Sequence, residues 1–209
     1  MTQITPIRDL KAYLAPKQVE RVIAVATNPR DVLLFRIPWR TGIRVGELVG
    51  LRISDIDFDG RALIIKVQKM RKKDGKTIEK RRMVPVDQGT LDMVREYLEW
   101  RKQFSYEGDL LFPITRQRVN QIFWKLGRKA GITEIGDPAI SKHRKLHPHA
   151  LRHSFSIQCI KKGMSIDRLQ KILGHASPTT TSVYLQWSST DLHEDYDKVW
   201  NDEGTGTKE

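Results

Sequence analysis

His149 and Arg152 stand three residues apart in the segment HPHALRHS, so on a helix they share one face. A guanidinium repels a cation, which makes the pair a poor metal site. Both side chains donate hydrogen bonds to negative oxygens, which makes it a good phosphate or oxyanion site. Taken alone, the cluster is accounted for equally well as the basic end of a helix. Arg44, in TGIRVGEL, follows a glycine turn and leads into Val45, Leu48 and Leu51. Alone it reads more readily as a surface arginine. Tyr184 lies nine residues after His175 in LGHASPTTTSVY, and alone it reads as a packing residue with a satisfied hydroxyl.

These side chains need elements to position them. Pro16 opens an amphipathic helix, PKQVERVIAVA, with proline where helix starts tolerate it. A second apolar helix follows Asn28-Pro29, and Pro38 is expected to kink or end it near Trp39. Thr41-Gly42 reads as a turn, and Arg44 to Leu51 as another short helix. Residues 62 to 86 change character. ALIIKVQ and MVPV are rich in β-branched residues, and Asp74-Gly75 between them is a turn signal, which predicts a β-hairpin with a long basic tip. Helical patterning returns over 91–104, 115–130, 148–162, 165–173 and 191–200. The helix at 115–130 sets Val119, Ile122, Phe123 and Leu126 on one face and Arg116, Arg118, Gln121, Lys125, Arg128 and Lys129 on the other. The expected fold class is mixed α+β, mostly α-helical with one small antiparallel β-sheet.

The combination is far more specific than its parts. TGIRVGEL, a basic hairpin, HPHALRH, then LGH with a tyrosine nine residues on resemble, in order and spacing, the catalytic domain of the tyrosine recombinase (phage integrase-like) family. The resemblance divides the chain into a lead-in (1–14), a catalytic domain (15–187) and a C-terminal helix with a polar tail (188–209). It implies that Arg44 is the first catalytic arginine, His149 and Arg152 the H-x-x-R pair, His175 the later histidine and Tyr184 the nucleophile. Glu47 matches a carboxylate that supports the arginines, and His153 helps shape the pocket. Two arginine forks can hold both non-bridging oxygens of a phosphodiester as negative charge grows on them, so neither metal nor cofactor is expected. A phenol with a pKa near 10 needs a base, for which His149 is the candidate, with His175 donating to the phosphate. The family also takes a lysine from the hairpin to protonate the leaving oxygen. Lys69 is the best match, with Lys72, Lys73 and Lys76 as competitors. Arg71, Lys72, Lys73, Lys76, Arg116 and Arg118 are expected to contact DNA phosphates.

Composition agrees with a polyanion partner. Thirty-seven Lys and Arg against 25 Asp and Glu give a formal charge of +12, which attracts nucleic acid first and acidic membrane second. Cys159 is the single cysteine, so no intrachain disulfide and no Cys/Cys metal motif can form. The N-terminus MTQITPIRDLKAYL is charged where a signal peptide would be apolar, and no stretch approaches a membrane span. A cytoplasmic protein is expected, with double-stranded DNA as partner, tetrameric on DNA and monomeric when free. Family members carry an N-terminal helical DNA clamp for which these 209 residues leave no room, as in an excised catalytic domain or a minimal enzyme. Leu192, Tyr196, Val199 and Trp200 fall near one face of the last helix. Packing on its own domain and docking on a neighbouring protomer account equally well for that face. The rivals to a recombinase are a type IB topoisomerase-like relaxing enzyme and a DNA-binding regulator that kept the fold.

Overall fold

The computed structural model describes residues 13–71, 77–135 and 144–174 with Tyr196, Asp197 and Trp200, giving the backbone alone at 67–71, 77–80, 144–145 and 166. Helices α1 (Pro16–Ala24) and α2 (Pro29–Thr41) open the chain. Both begin with proline, whose fixed φ suits a first helical turn. Asn28 also caps α2, its side-chain oxygen accepting from the Asp31 amide at 2.9 Å. The sequence expects α2 to kink or end near Trp39; the helix runs past Pro38 to Thr41, two residues beyond Trp39, and stops at Gly42. The lost amide bond is offset by place, because Phe35, Ile37, Trp39 and Pro38 itself are all buried. Tertiary packing outweighs propensity here.

Helix α3 (Val45–Gly50) follows, and then strands β1 (Ile56–Asp57), β2 (Ala62–Arg71) and β3 (Thr77–Pro85) form one antiparallel sheet in the order β1-β2-β3. The antiparallel pairing of β2 with β3 is as expected, but the strands extend to Arg71 and from Thr77, into the segment read as a long tip. The expected Asp74-Gly75 turn lies outside the described residues, and β1, two residues long, was not foreseen. Leu63 and Ile65 of β2 are buried while Ile64 and Lys66 are partly open, the alternation of a half-covered sheet. The register shifts between Val67 and Met70, three steps on β2 opposing two on β3 (Val67↔Lys80 to Met70↔Ile78). A one-residue bulge of this kind changes the phase of alternation along the strand.

Helices α4 (Gln88–Arg101), α5 (Arg116–Lys129), α6 (Pro148–Lys161) and α7 (Ile166–Leu173) complete the domain. A second ladder, β4 (Glu134–Ile135) with β5 (Arg144–Lys145), adds a sheet that the sequence did not announce. The core gathers around α2, which packs against α1, α4 and α6. Phe35 of α2 and Phe123 of α5 stack with ring centroids 3.8 Å apart. Leu14, before α1, is tied to α6 by its amide donating to the Ser154 hydroxyl at 2.8 Å. Near the C-terminus, Tyr196 and Trp200 are buried against the same domain. The Trp200 ring meets Trp39 edge-on at 5.5 Å, and the Arg40 guanidinium lies over it at 3.9 Å. For these residues, packing on the chain's own domain is the arrangement observed; Leu192 and Val199 lie outside the described residues.

Gly42 is the joint between core and site. Its φ of 67° is left-handed, and a Cβ there would meet Phe155 at 2.5 Å and Leu173 at 2.8 Å. Gly42→Ala should therefore cost about 2–4 kcal/mol from backbone strain and overpacking together. Urea denaturation measures this, and a loss below the error of that measurement would show that the turn adapts.

Candidate active site

A cleft of about 810 Å³ opens between α3, β2, α5 and α6, lined among others by Arg44, Glu47, Lys66, Arg116, His149 and Arg152. Five of these six are cationic or able to become so, and the carboxylates of the lining are Glu47 and Asp55.

Arg152 sits on the first half of α6 with 4% exposure. Its guanidinium donates from Nη1 to the Gly42 carbonyl at 2.6 Å and from Nη2 to the Leu173 carbonyl at 2.8 Å. Those carbonyls belong to the ends of α2 and α7, where helices leave acceptors unsatisfied. An arginine has five N–H donors, so the remaining three can serve a ligand. Burial, and after it the charge of Arg44, pull its pKa down to about 10. The group stays charged at neutral pH, in surroundings that an anion would relieve.

Arg44 is the N-cap of α3, and its side chain is 44% exposed. Glu47 reaches back to it in the manner of a capping box: Oε2 accepts the Arg44 amide at 2.7 Å, and Oε1 lies 3.4 Å from Arg44 Nη1. Glu47 takes most of its support elsewhere. Arg82 of β3 grips it with both fork nitrogens at 2.7 and 2.8 Å. Burial opposes ionisation of Glu47, but the Arg82 bonds and charge, then those of Arg44, outweigh it and hold the carboxyl below its usual range.

His149 is exposed on α6 one turn from Arg152, as i,i+3 spacing requires. His153 packs edge-on to it at 4.6 Å between ring centroids. Partial burial, then the positive charges of Arg152 and Arg44, lower the His149 pKa. Neutral imidazole is the form that accepts a proton.

Of the residues expected from sequence, the structure brings Arg44, Glu47, His149 and Arg152 to one cleft, with His153 packed against His149. Arg116, expected only as a DNA contact, also lines this cleft: a Cβ on Gly46 would sit 3.1 Å from its Cζ. Arg118 lies exposed on α5, its Nη1 donating to Gln121 at 3.1 Å. Lys69 and Arg71 are placed by their backbone alone, on β2. Lys72, Lys73, Lys76, His175 and Tyr184 lie outside the described residues, although Gly174, next to His175, lines the cleft. Arg82 was missed. A signal existed in KRRMVPV, where Arg82 alternates in phase with Val84 and Val86; a strand arginine that points with buried valines needs an acid partner. Lys66 was missed as well, read only as part of a strand.

The sequence profile described as the phage integrase family matches residues 12–190. The chain belongs to the phage integrase family. Among relatives in the family, the tyrosine recombinase XerA of Pyrococcus horikoshii is 30% identical over 92% of this chain and 62% of its own length. The tyrosine recombinase XerC of Listeria welshimeri is 31% identical over 81% of this chain and 53% of its own. This chain therefore spans little more than half to three-fifths of those phage integrase family relatives. A crystal structure of XerA recombinase superposes with a TM-score of 0.63 at 28% identity, covering 94% of this chain and 66% of that one. The XerH recombinase bound to its difH substrate shares the fold at a TM-score of 0.61 and 23% identity, over 92% of this chain and 55% of that one. The predominantly helical, small-sheet architecture expected from sequence is the family's fold. Among the described residues, no helix is long and apolar enough to cross a membrane.

The electrostatics give a direct test. Partial burial, and then the charges of Arg152 and Arg44, disfavour the imidazolium, so His149 should titrate below the ordinary histidine value of about 6.5 in the DNA-free protein. Arg44→Ala removes one of those charges, and the midpoint should then move upward. Two-dimensional NMR of the histidine ring protons reads both. A midpoint unmoved by Arg44→Ala would mean that the two side chains do not share a field.

Proposed function

We propose that this chain is the catalytic part of a site-specific DNA recombinase, cutting and rejoining strands through a 3′-phosphotyrosyl intermediate without metal or ATP. One observation carries the reading: Arg44, Arg152 and His149 converge on one cleft, with Arg152 fixed by two backbone carbonyls and the pKa values of His149 and Arg152 lowered by burial and then by neighbouring positive charge. The family supplies the rest. XerA and XerC are named as tyrosine recombinases, and XerH is described on a DNA substrate.

In this reading the phosphodiester enters the cleft with its non-bridging oxygens toward Arg44 and Arg152. Tyr184 Oη attacks phosphorus and its proton passes to His149. The phosphorus–O5′ bond breaks, and Lys69 supplies the proton that the leaving oxygen takes. His175 donates to the phosphate, and His153 holds the His149 ring. The phosphotyrosyl bond keeps the energy of the phosphodiester, so attack by another 5′-hydroxyl reseals DNA without an external energy source. Lys66 and Arg116 extend the cationic lining, and the basic face of α5 continues it outward through Arg118, Lys125 and Arg128. With Arg71, Lys72, Lys73 and Lys76 of the hairpin this gives a footprint for double-stranded DNA. We take residues 15–187 as the catalytic domain, acting as a tetramer on DNA.

Nicked duplexes carrying candidate sites, incubated in EDTA, should yield a covalent, protease-sensitive adduct with the wild type and none with Tyr184→Phe. Arg44→Ala and Arg152→Ala should each lower adduct formation by at least about 100-fold while leaving DNA binding largely intact. Normal cutting by either arginine variant would remove the phosphate-clamp assignment. Relaxation of any plasmid with no junction intermediates would favour a topoisomerase. Binding without any adduct would favour a regulator.

A further inference from the structure

We infer that Arg82, on β3, is a positioning residue that sets Arg44 and the C-terminal end of α7 together. The inference rests on the recombinase reading above and names a group outside its catalytic set. Arg82 does not line the cleft, and its side chain is 2% exposed. All three of its nitrogens are engaged. Nε donates to the Ile172 carbonyl at 2.9 Å, and Nη1 and Nη2 hold the two oxygens of Glu47 at 2.7 and 2.8 Å. A bidentate guanidinium–carboxylate pair fixes direction as well as distance. Glu47 in turn receives the Arg44 amide at 2.7 Å and stands 3.4 Å from its Nη1.

The other end of the fork matters equally. Ile172 and Leu173 are consecutive, and their carbonyls are the acceptors of Arg82 and Arg152 respectively. The last turn of α7 is therefore held from two sides by two buried guanidiniums. Gly174 closes that turn with φ 64°, and a Cβ on it would lie 2.8 Å from Arg82 Cδ and 2.9 Å from Nε. The backbone just before His175 rests on the Arg82 side chain, and only glycine allows so close an approach. One buried arginine thus links β3, the helix start that carries Arg44, and the helix end that leads to His175. Lysine could keep the charge but not the fork.

The test compares Arg82→Lys and the double variant Arg82→Met with Glu47→Gln, which leaves no unpaired buried charge, against wild type. Tyr97→Phe serves as a control, losing a buried hydroxyl bond to the Leu111 carbonyl remote from the cleft. Each is assayed on the nicked duplex that traps the wild type, below every melting temperature. DNA affinity should stay within about twofold of wild type, while single-turnover cleavage at saturating DNA falls about 10–100-fold in both Arg82 variants, the scale of a small misplacement. Tyr97→Phe should cleave normally. Wild-type cleavage rates in both Arg82 variants, or a loss no larger than that of Tyr97→Phe, would overturn the positioning role and leave the recombinase reading standing. A wild type that forms no adduct on any duplex would overturn that reading and this inference with it.

Discussion

Guanidinium groups repel one another, and the site depends on how this chain holds three of them close together. Arg44, Arg82 and Arg152 share one neighbourhood with a single carboxylate, Glu47, among them. The deficit of negative charge is met by backbone carbonyls at Gly42, Ile172 and Leu173. All three lie at helix ends, where carbonyls lack intrahelical partners and the helix dipole is negative. The ends of α2 and α7 thus act as fixed counter-charges, and the helices must be placed before the arginines can be. This accounts for the burial of α2 along its second half and for a glycine at each helix stop. Gly42 and Gly174 both take left-handed φ and both meet side chains where a Cβ would stand.

Much of this was legible in the sequence because the informative features are local. Proline at the starts of α1, α2 and α6, Thr115 before α5 and the β-branched runs around Asp74-Gly75 each act within a few residues, and the elements formed where expected. The i,i+3 spacing of His149 and Arg152 is likewise a local fact about a helix. What was not legible depends on distance along the chain. The sequence expects α2 to kink or end near Trp39, and burial among residues far away in sequence carries the helix two residues further, to Thr41. The ladder of β4 with β5 involves two residues on each side, too few for a pattern. Arg82 lies 35 positions from Glu47 and 90 from Ile172, so its partners could not be read from spacing. Its phase with Val84 could say only that it points inward.

The two arginines predicted to hold a phosphate are held unequally, and the difference bears on how the site would work. Arg152 is buried, spends two donors on carbonyls and can hardly move without losing them. Arg44 is half exposed, with its amide tightly bound to Glu47 but its guanidinium only 3.4 Å from the same carboxylate. The backbone of Arg44 is tied through its amide, while its guanidinium makes the longer contact and stands more open to solvent. In the recombinase reading, the buried fork sets where phosphorus sits and the more open one answers the oxygens as their charge grows. Binding energy realised late in this way favours the transition state over the bound substrate. Burial first, and then the charge of Arg44, lowers the Arg152 pKa, so an anion placed between the two forks would favour their charged forms.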